Sequence, residues 1–244
     1  MSLAIRHIFG EITGTSILVF WGCGSVAYNN LISPLSLPII AIIWGLAVAA
    51  AIFISRKWSH AHLNPAVSLG FLVGGELNHK SFLAHVFGQI IGAAVAAALL
   101  FIIFKPQLIS GSIQEAMIFG EYYPNPGSGI TELSTPLAAI FEGLGTFLLM
   151  MGVLGIIRIK QRNFQPILIG VLLAILIILI APYTQAGFNP ARDALPRLIS
   201  YLAGYDMAYS YNGWGNIIVY ICSPLIGAAS AILVFKKIII AIWL

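Results

Sequence analysis

Six long apolar stretches, at roughly 8–28, 38–55, 82–104, 136–157, 166–182 and 214–235, leave this chain few ways to fold. Each comes near the ~20 residues a helix needs to cross ~30 Å of hydrocarbon. Only 8% of the 244 residues are charged and 59% are hydrophobic, whereas a soluble domain carries about a quarter charged residues. Most of the surface therefore meets something other than water. That excludes the soluble classes and predicts one all-α integral membrane domain over 1–244, embedded in a lipid bilayer. The net charge of +4 does not signal a nucleic-acid partner, because the basic residues sit in small groups between apolar runs. Cys23 and Cys222 both fall inside apolar stretches and are expected to be small packed side chains rather than a disulfide framework. The first run continues to about Tyr28 without a cleavage-type motif, so no removable signal peptide is expected.

An even number of spans puts both termini on one side. Arg6, Arg56, Lys57, Lys80, Arg158, Lys160, Arg162, Lys236 and Lys237 fall on that side, against Lys105, Arg192 and Arg197 on the other. The bias places both termini in the cytoplasm and the loop with Glu115, Glu121 and Glu132 outside. Gly88 and Gly92 form a Gly-x-x-x-Gly step of the kind that lets membrane helices pack closely.

The two halves, about 1–105 and 134–244, repeat one another. Glu11-Ile-Thr-Gly-Thr15 recurs as Glu142-Gly-Leu-Gly-Thr146, and His62-Leu-Asn-Pro-Ala66 as Gly187-Phe-Asn-Pro-Ala191, at offsets of 131 and 125 residues. Three spans per half make the second copy inverted, and inverted repeats place their site where the halves meet, near the midplane. Each Asn-Pro-Ala reads as a helix start, because Asn is a favoured N-cap and Pro is favoured at the first helical position. The first such helix is predicted over Pro65 to Val73, stopping before Gly74-Gly75. The second is predicted from Pro190 to about Ser200, interrupted or ended early by Pro196. At 1.5 Å per residue neither spans a bilayer, so both read as re-entrant half-helices. The irregular backbone before them can exist at that depth only if it is buried in protein or lines water. An aqueous path is implied.

Paired Asn-Pro-Ala motifs, Asn64-Pro65-Ala66 and Asn189-Pro190-Ala191, within a three-plus-three inverted repeat resemble the aquaporin superfamily, the major intrinsic proteins. The resemblance covers nearly the whole chain. It implies the aquaporin fold of six transmembrane helices plus two half-helices, one pore per subunit, and a homotetramer in the plasma (inner) membrane. No cofactor, metal or catalytic residue is expected. Asp193 after Arg192, the basic Arg197, the Pro224-Leu225 pair and the stretch Trp44-Gly-Leu-Ala-Val-Ala49 are similar to the glycerol-conducting branch. The resemblance implies passive passage of glycerol and water, with urea, ammonia and small metalloid hydroxides as further candidates.

By family position the outer filter is Trp44, Ile177, Ala186 and Arg192. Bacterial glycerol facilitators have Trp, Gly, Phe and Arg there, so the large residue has moved to the fifth span, as in some plant nodulin-type channels. Half-helices meeting N-terminus to N-terminus place positive partial charge at the midplane, which hinders cations and hydronium. Asn64 and Asn189 are expected to cap those ends and leave their NH₂ groups free to donate into the pore. Carbonyls of His60, Ala61, His62, Leu63, Gln185 and Gly187 are expected to supply acceptors along one wall.

Glu11 and Glu142 are expected to hold these loops, with a proton relay as the alternative. Asp193 is expected as structural support, with an Arg192–Asp193 ion pair as the plain alternative to a filter role for Arg192. The stretch Tyr201 to Tyr211 reads as an aromatic belt at the outer interface, and the apolar tail Ile238 to Leu244 as lying along the inner membrane face. Rival readings are a water-selective aquaporin and a coupled secondary transporter. An enzyme is disfavoured, because no nucleophile–base pair appears and the five histidines look scattered, without metal-ligand spacing.

Overall fold

A computed structural model describes the backbone of residues 2–243 and the side chains through Ile238. Among the described residues, six helices are long and apolar enough to cross a membrane: Leu3–Leu31, Leu37–Ser55, His79–Gln107, Thr135–Ile156, Gln165–Thr184 and Gly215–Ile238. The first span starts five residues before its apolar run. Ser2 caps it by accepting from the Ile5 N–H, and its polar His7 and Glu11 are buried inside the bundle. The third span likewise begins with a polar turn, capped by Asn78, which accepts from the Ser81 N–H at 2.9 Å. Hydropathy underestimates such ends.

Two shorter helices, Pro65–Val73 and Pro190–Leu202, begin at the Asn-Pro-Ala motifs. The first ends where predicted, since Gly75 takes φ +72°, a left-handed conformation that favours glycine. Pro196 does not end the second, contrary to expectation. It removes one i→i−4 bond, but Arg197 reaches back to Asp193 across the proline through two hydrogen bonds, at 3.0 and 2.7 Å. That side-chain clamp carries the helix past the gap. In the sixth span a π-turn, Ile218–Cys222, precedes Ser223-Pro224. The Ser223 hydroxyl donates to the Ile218 carbonyl at 2.9 Å, supplying a bond in this irregular turn.

The packing follows the repeat. The first span lies against the third, the fourth against the sixth, and the second meets the fifth between the halves. Each half-helix packs on the third span of the other half: Pro65–Val73 on the sixth span and Pro190–Leu202 on the third. Small residues make these contacts possible. A Cβ on Gly88 would lie 2.7 Å from the Ile8 carbonyl oxygen, and one on Gly92 2.6 Å from that of Ile12. Gly92→Val is therefore expected to force the first and third spans apart and to destabilise the protein by about 1–3 kcal/mol or more. Thermal unfolding in detergent checks this, with Gly155→Ala as the control because nothing among the described residues lies within 4 Å of a Cβ at that site.

Two peripheral expectations need correction, and a third falls outside the described residues. Cys23 is buried as expected, but Cys222 is exposed on the outer face of the bundle. Tyr201 and Tyr211 are exposed, whereas Tyr205 turns inward and donates to Glu115 at 2.7 Å, because that buried carboxylate needs donors. The sixth-span helix continues without a break to Trp243. Side chains beyond Ile238, and with them the expected seating of the tail on the inner membrane face, lie outside the described residues.

Candidate functional site

The site begins with the two helix caps. Asn64 accepts from the Ala66 N–H at 2.8 Å, and Asn189 from the N–H groups of Ala191 at 3.1 Å and Arg192 at 3.4 Å. Neither amide nitrogen is left wholly free, contrary to what the sequence suggested. Asn64 Nδ2 donates to the Phe188 carbonyl and Asn189 Nδ2 to the Leu63 carbonyl, each at 2.8 Å. These reciprocal bonds pin one half-helix to the loop of the other. An NH₂ carries two hydrogens, so one N–H per Asn remains for a passing solute. The Leu63 carbonyl, expected on the pore wall, is used in this cross-link.

The loops before the motifs are strained. Ala61, Leu63, Gln185, Ala186 and Phe188 all take positive φ, between 51° and 63°, a region that costs a non-glycine residue of order 1–3 kcal/mol. Two buried carboxylates hold them there. Glu11 accepts from the N–H groups of His62 at 3.0 Å and Leu63 at 2.7 Å, and from Ser59 and Gln89. Glu142 accepts from the N–H groups of Gly187 at 3.0 Å and Phe188 at 2.8 Å, and from the Thr184 hydroxyl.

The carboxylates also orient the wall. In a planar trans peptide an N–H and the preceding carbonyl point in opposite directions. Binding the N–H groups of His62, Gly187 and Phe188 therefore turns the carbonyls of Ala61, Ala186 and Gly187 away from the carboxylates, and binding that of Leu63 turns the His62 carbonyl likewise. The Ala61 N–H, held by Ser59 at 2.9 Å, does the same for the His60 carbonyl. These residues all line one cavity of about 420 Å³ that also reaches both Asn side chains.

A second cavity, of about 470 Å³, lies on the far side. Trp44, Glu121, Ile177, Gln185 and Arg192 line both, so they form the partition between them. Three of the four predicted filter residues stand in that partition, and Ala186 lines the first cavity alone. The Arg192 guanidinium lies over the Trp44 ring, 4.9 Å from its centre. Its Nη2 is paired with Glu121, and its Nη1 has no protein partner among the described residues. The partition thus sets a guanidinium with one unpartnered, buried nitrogen beside an aromatic and an aliphatic side chain.

Asp193 is not the partner of Arg192. It accepts from Arg197 and, at 2.7 Å, from the Glu121 N–H, while Arg197 donates to the carbonyls of Ala208, at 2.7 Å, and Glu121. Stacking of Arg197 over Tyr122, at 4.7 Å, completes this buried anchor. Asp193 and Arg197 therefore deliver Glu121 to Arg192. In the sequence Glu121 reads as no more than one charge of an outer loop. Its signal was local: an acid set within the aromatic run Phe119-Gly-Glu-Tyr-Tyr123, whose side chains are buried.

The histidines were also misjudged. His7, His60, His62 and His85 converge near the mouth on the side of the termini, with neighbouring ring centroids 4.7–5.6 Å apart. They come from the first span, the loop and the third span, so no local spacing could reveal them. His62 stacks on Phe71 and its Nδ1 lies 3.1 Å from the Ser68 hydroxyl, bracing the loop against its half-helix.

Comparison with known proteins agrees with this architecture. The family model for "Major intrinsic protein" matches residues 1–235. The chain belongs to the major intrinsic protein family. Among its relatives, the glycerol uptake facilitator protein of Haemophilus influenzae is 30% identical over 250 residues, covering 95% of this chain and 92% of that one. The glycerol uptake facilitator protein of Streptococcus pneumoniae is 32% identical, with 95% and 99% covered. Among solved structures, the aquaglyceroporin from Plasmodium falciparum superposes with a TM-score of 0.86 at 25% identity, covering 97% of each chain. The reciprocal asparagines, held loops and two-cavity path are this chain's form of a major intrinsic protein.

Proposed function

We propose that this protein is a passive channel for small uncharged solutes, glycerol foremost and water with it, which excludes protons and ions. The observation that carries this reading is the two-sided partition: Arg192, whose buried Nη1 has no protein partner among the described residues, stands with the carbon of Trp44 and Ile177 at the cavity wall. A polyol has hydroxyls on one edge and carbon on the other, so it can exchange water for such a wall at little net cost. Past the partition, the loop carbonyls and the spare Asn N–H groups continue the polar track. Glycerol-named relatives support the same solute. Cation exclusion rests on the helix N-termini at the midplane rather than on Arg192, because Glu121 neutralises that charge.

The resemblance and the basic-residue bias support a homotetramer, with both termini cytoplasmic, in the plasma (inner) membrane. Ile177 in the partition speaks against strict water selectivity, for which a polar side chain at that position is better suited. Stopped-flow light scattering on proteoliposomes tests the proposal. Glycerol flux is expected well above that of empty liposomes and linear in gradient, and Ile177→Gly is expected to raise permeability to larger polyols several-fold. Flux of water alone would reassign the chain to a water channel, and saturable, ion-dependent flux to a coupled transporter.

A further inference from the structure

Four of the chain's five histidines lie together, and three of them have the geometry of a ligand set. His7 and His85 are buried and His60 is exposed at the cavity wall, and each offers one ring nitrogen, all within 4.8 Å of one another. The His60 Nδ1 and His85 Nε2 are 3.2 Å apart. Two imidazoles sharing a tetrahedral ion at 2.0–2.1 Å hold their nitrogens about 3.3 Å apart. One edge of the site is therefore already at coordination distance, and a ring nitrogen of His7 lies within 4.8 Å of both.

The hydrogen bonding also suits a cation. His85 Nδ1 lies 2.7 Å from the Ser81 carbonyl, an acceptor only, so Nδ1 carries the proton and Nε2 of the neutral ring presents a lone pair to the cluster. Anchoring the remote N–H on a carbonyl is the usual support for a metal-bound histidine. The Glu11 carboxylate lies 3.6 Å from that Nε2 and supplies negative charge behind the ligands. The buried Nδ1 of His7 has no hydrogen-bond partner among the described residues, although 96% of the residue's surface is removed from solvent (4% remains). A buried ring nitrogen without a partner is costly, and coordination or reorientation toward an ion relieves it. His62 stays outside the set: the group of ring nitrogens within 4.8 Å of one another comprises His7, His60 and His85, and the His62 Nδ1 is engaged with Ser68.

We propose that His7, His60 and His85 form a binding site for a borderline transition-metal dication such as Zn²⁺, set in the pore wall at the mouth nearest the termini. Three imidazoles without an oxygen-rich cage select against Ca²⁺ and Mg²⁺. Because His60 lines the cavity, water from it can complete the four ligands such an ion takes. The ion ties the first span, the loop and the third span together at the residue where the strained pore-lining loop begins. This assignment does not depend on which solute the pore conducts.

The test uses the full chain, purified without a histidine tag, stripped with a chelator and then titrated with Zn²⁺ or Co²⁺. One metal per chain is expected after desalting, together with the visible absorption of low-symmetry, nitrogen-bound Co²⁺. His60→Ala, which removes an exposed ring and so leaves the packed core intact, is expected to weaken binding at least tenfold. His79→Ala, which removes the one histidine outside the cluster, is expected to bind as the unmodified protein does. Wild-type protein that takes up no stoichiometric metal overturns the proposal, as does binding that survives His60→Ala undiminished. Co²⁺ titration of the unmodified chain decides the matter even if a variant is poorly produced.

Discussion

Glu142→Ala is expected to abolish accumulation of the folded protein. The carboxylate accepts from the Thr184 hydroxyl and from the Gly187 and Phe188 N–H groups, in a fully buried setting. Each donor left without a partner costs about 1–3 kcal/mol, and three together approach the whole stability of a typical domain, roughly 5–15 kcal/mol. The strain held at Ala186 and Phe188, both at positive φ, is released at the same time. Glu142→Gln keeps one acceptor oxygen but sets its NH₂ against a donor, so its stability is expected between the two. Yield of monodisperse protein and thermal unfolding in detergent give the order: native, then Gln, then Ala. A proton-relay role predicts otherwise, with Glu142→Gln as stable as the native chain and altered only in transport.

Arg192→Met is expected to destabilise the protein by about 3–5 kcal/mol, because it leaves the buried Glu121 carboxylate without its counter-charge. Glu121→Gln costs less, since the Arg192 guanidinium still faces the cavities and the Trp44 ring. The double variant Arg192→Met with Glu121→Gln is expected to recover much of the loss. A coupling of about 1–3 kcal/mol in the double-mutant cycle, read by thermal unfolding, would match residues in direct contact. In proteoliposomes both variants lacking Arg192 are expected to pass longer polyols, because Met is flexible and offers no donor to hold a hydroxyl in register. Additive losses would mean that the pair does not act as a unit and that Asp193 and Arg197 hold the outer loop by themselves.

What is local or repeated could be read from the chain alone. Six spans follow from apolar runs, and the first half-helix, Pro65–Val73, was legible to the residue because its cap, its proline and its closing glycines all act within a few positions. The inverted pairing of halves followed from two motifs at nearly one offset. Local signals failed where a long-range contact overrode them. Pro196 reads as a break, but the Arg197–Asp193 clamp carries the helix through it. The Glu121–Arg192 pair, the crossed Asn64 and Asn189 bonds, and the meeting of His7, His60 and His85 emerge only in the packed bundle. Each joins residues on separate elements, and nothing in chain spacing encodes which loop end comes within 3 Å of which helix. Burial supplies the reason they meet: polar groups taken out of water must find one another, and packing determines which ones can.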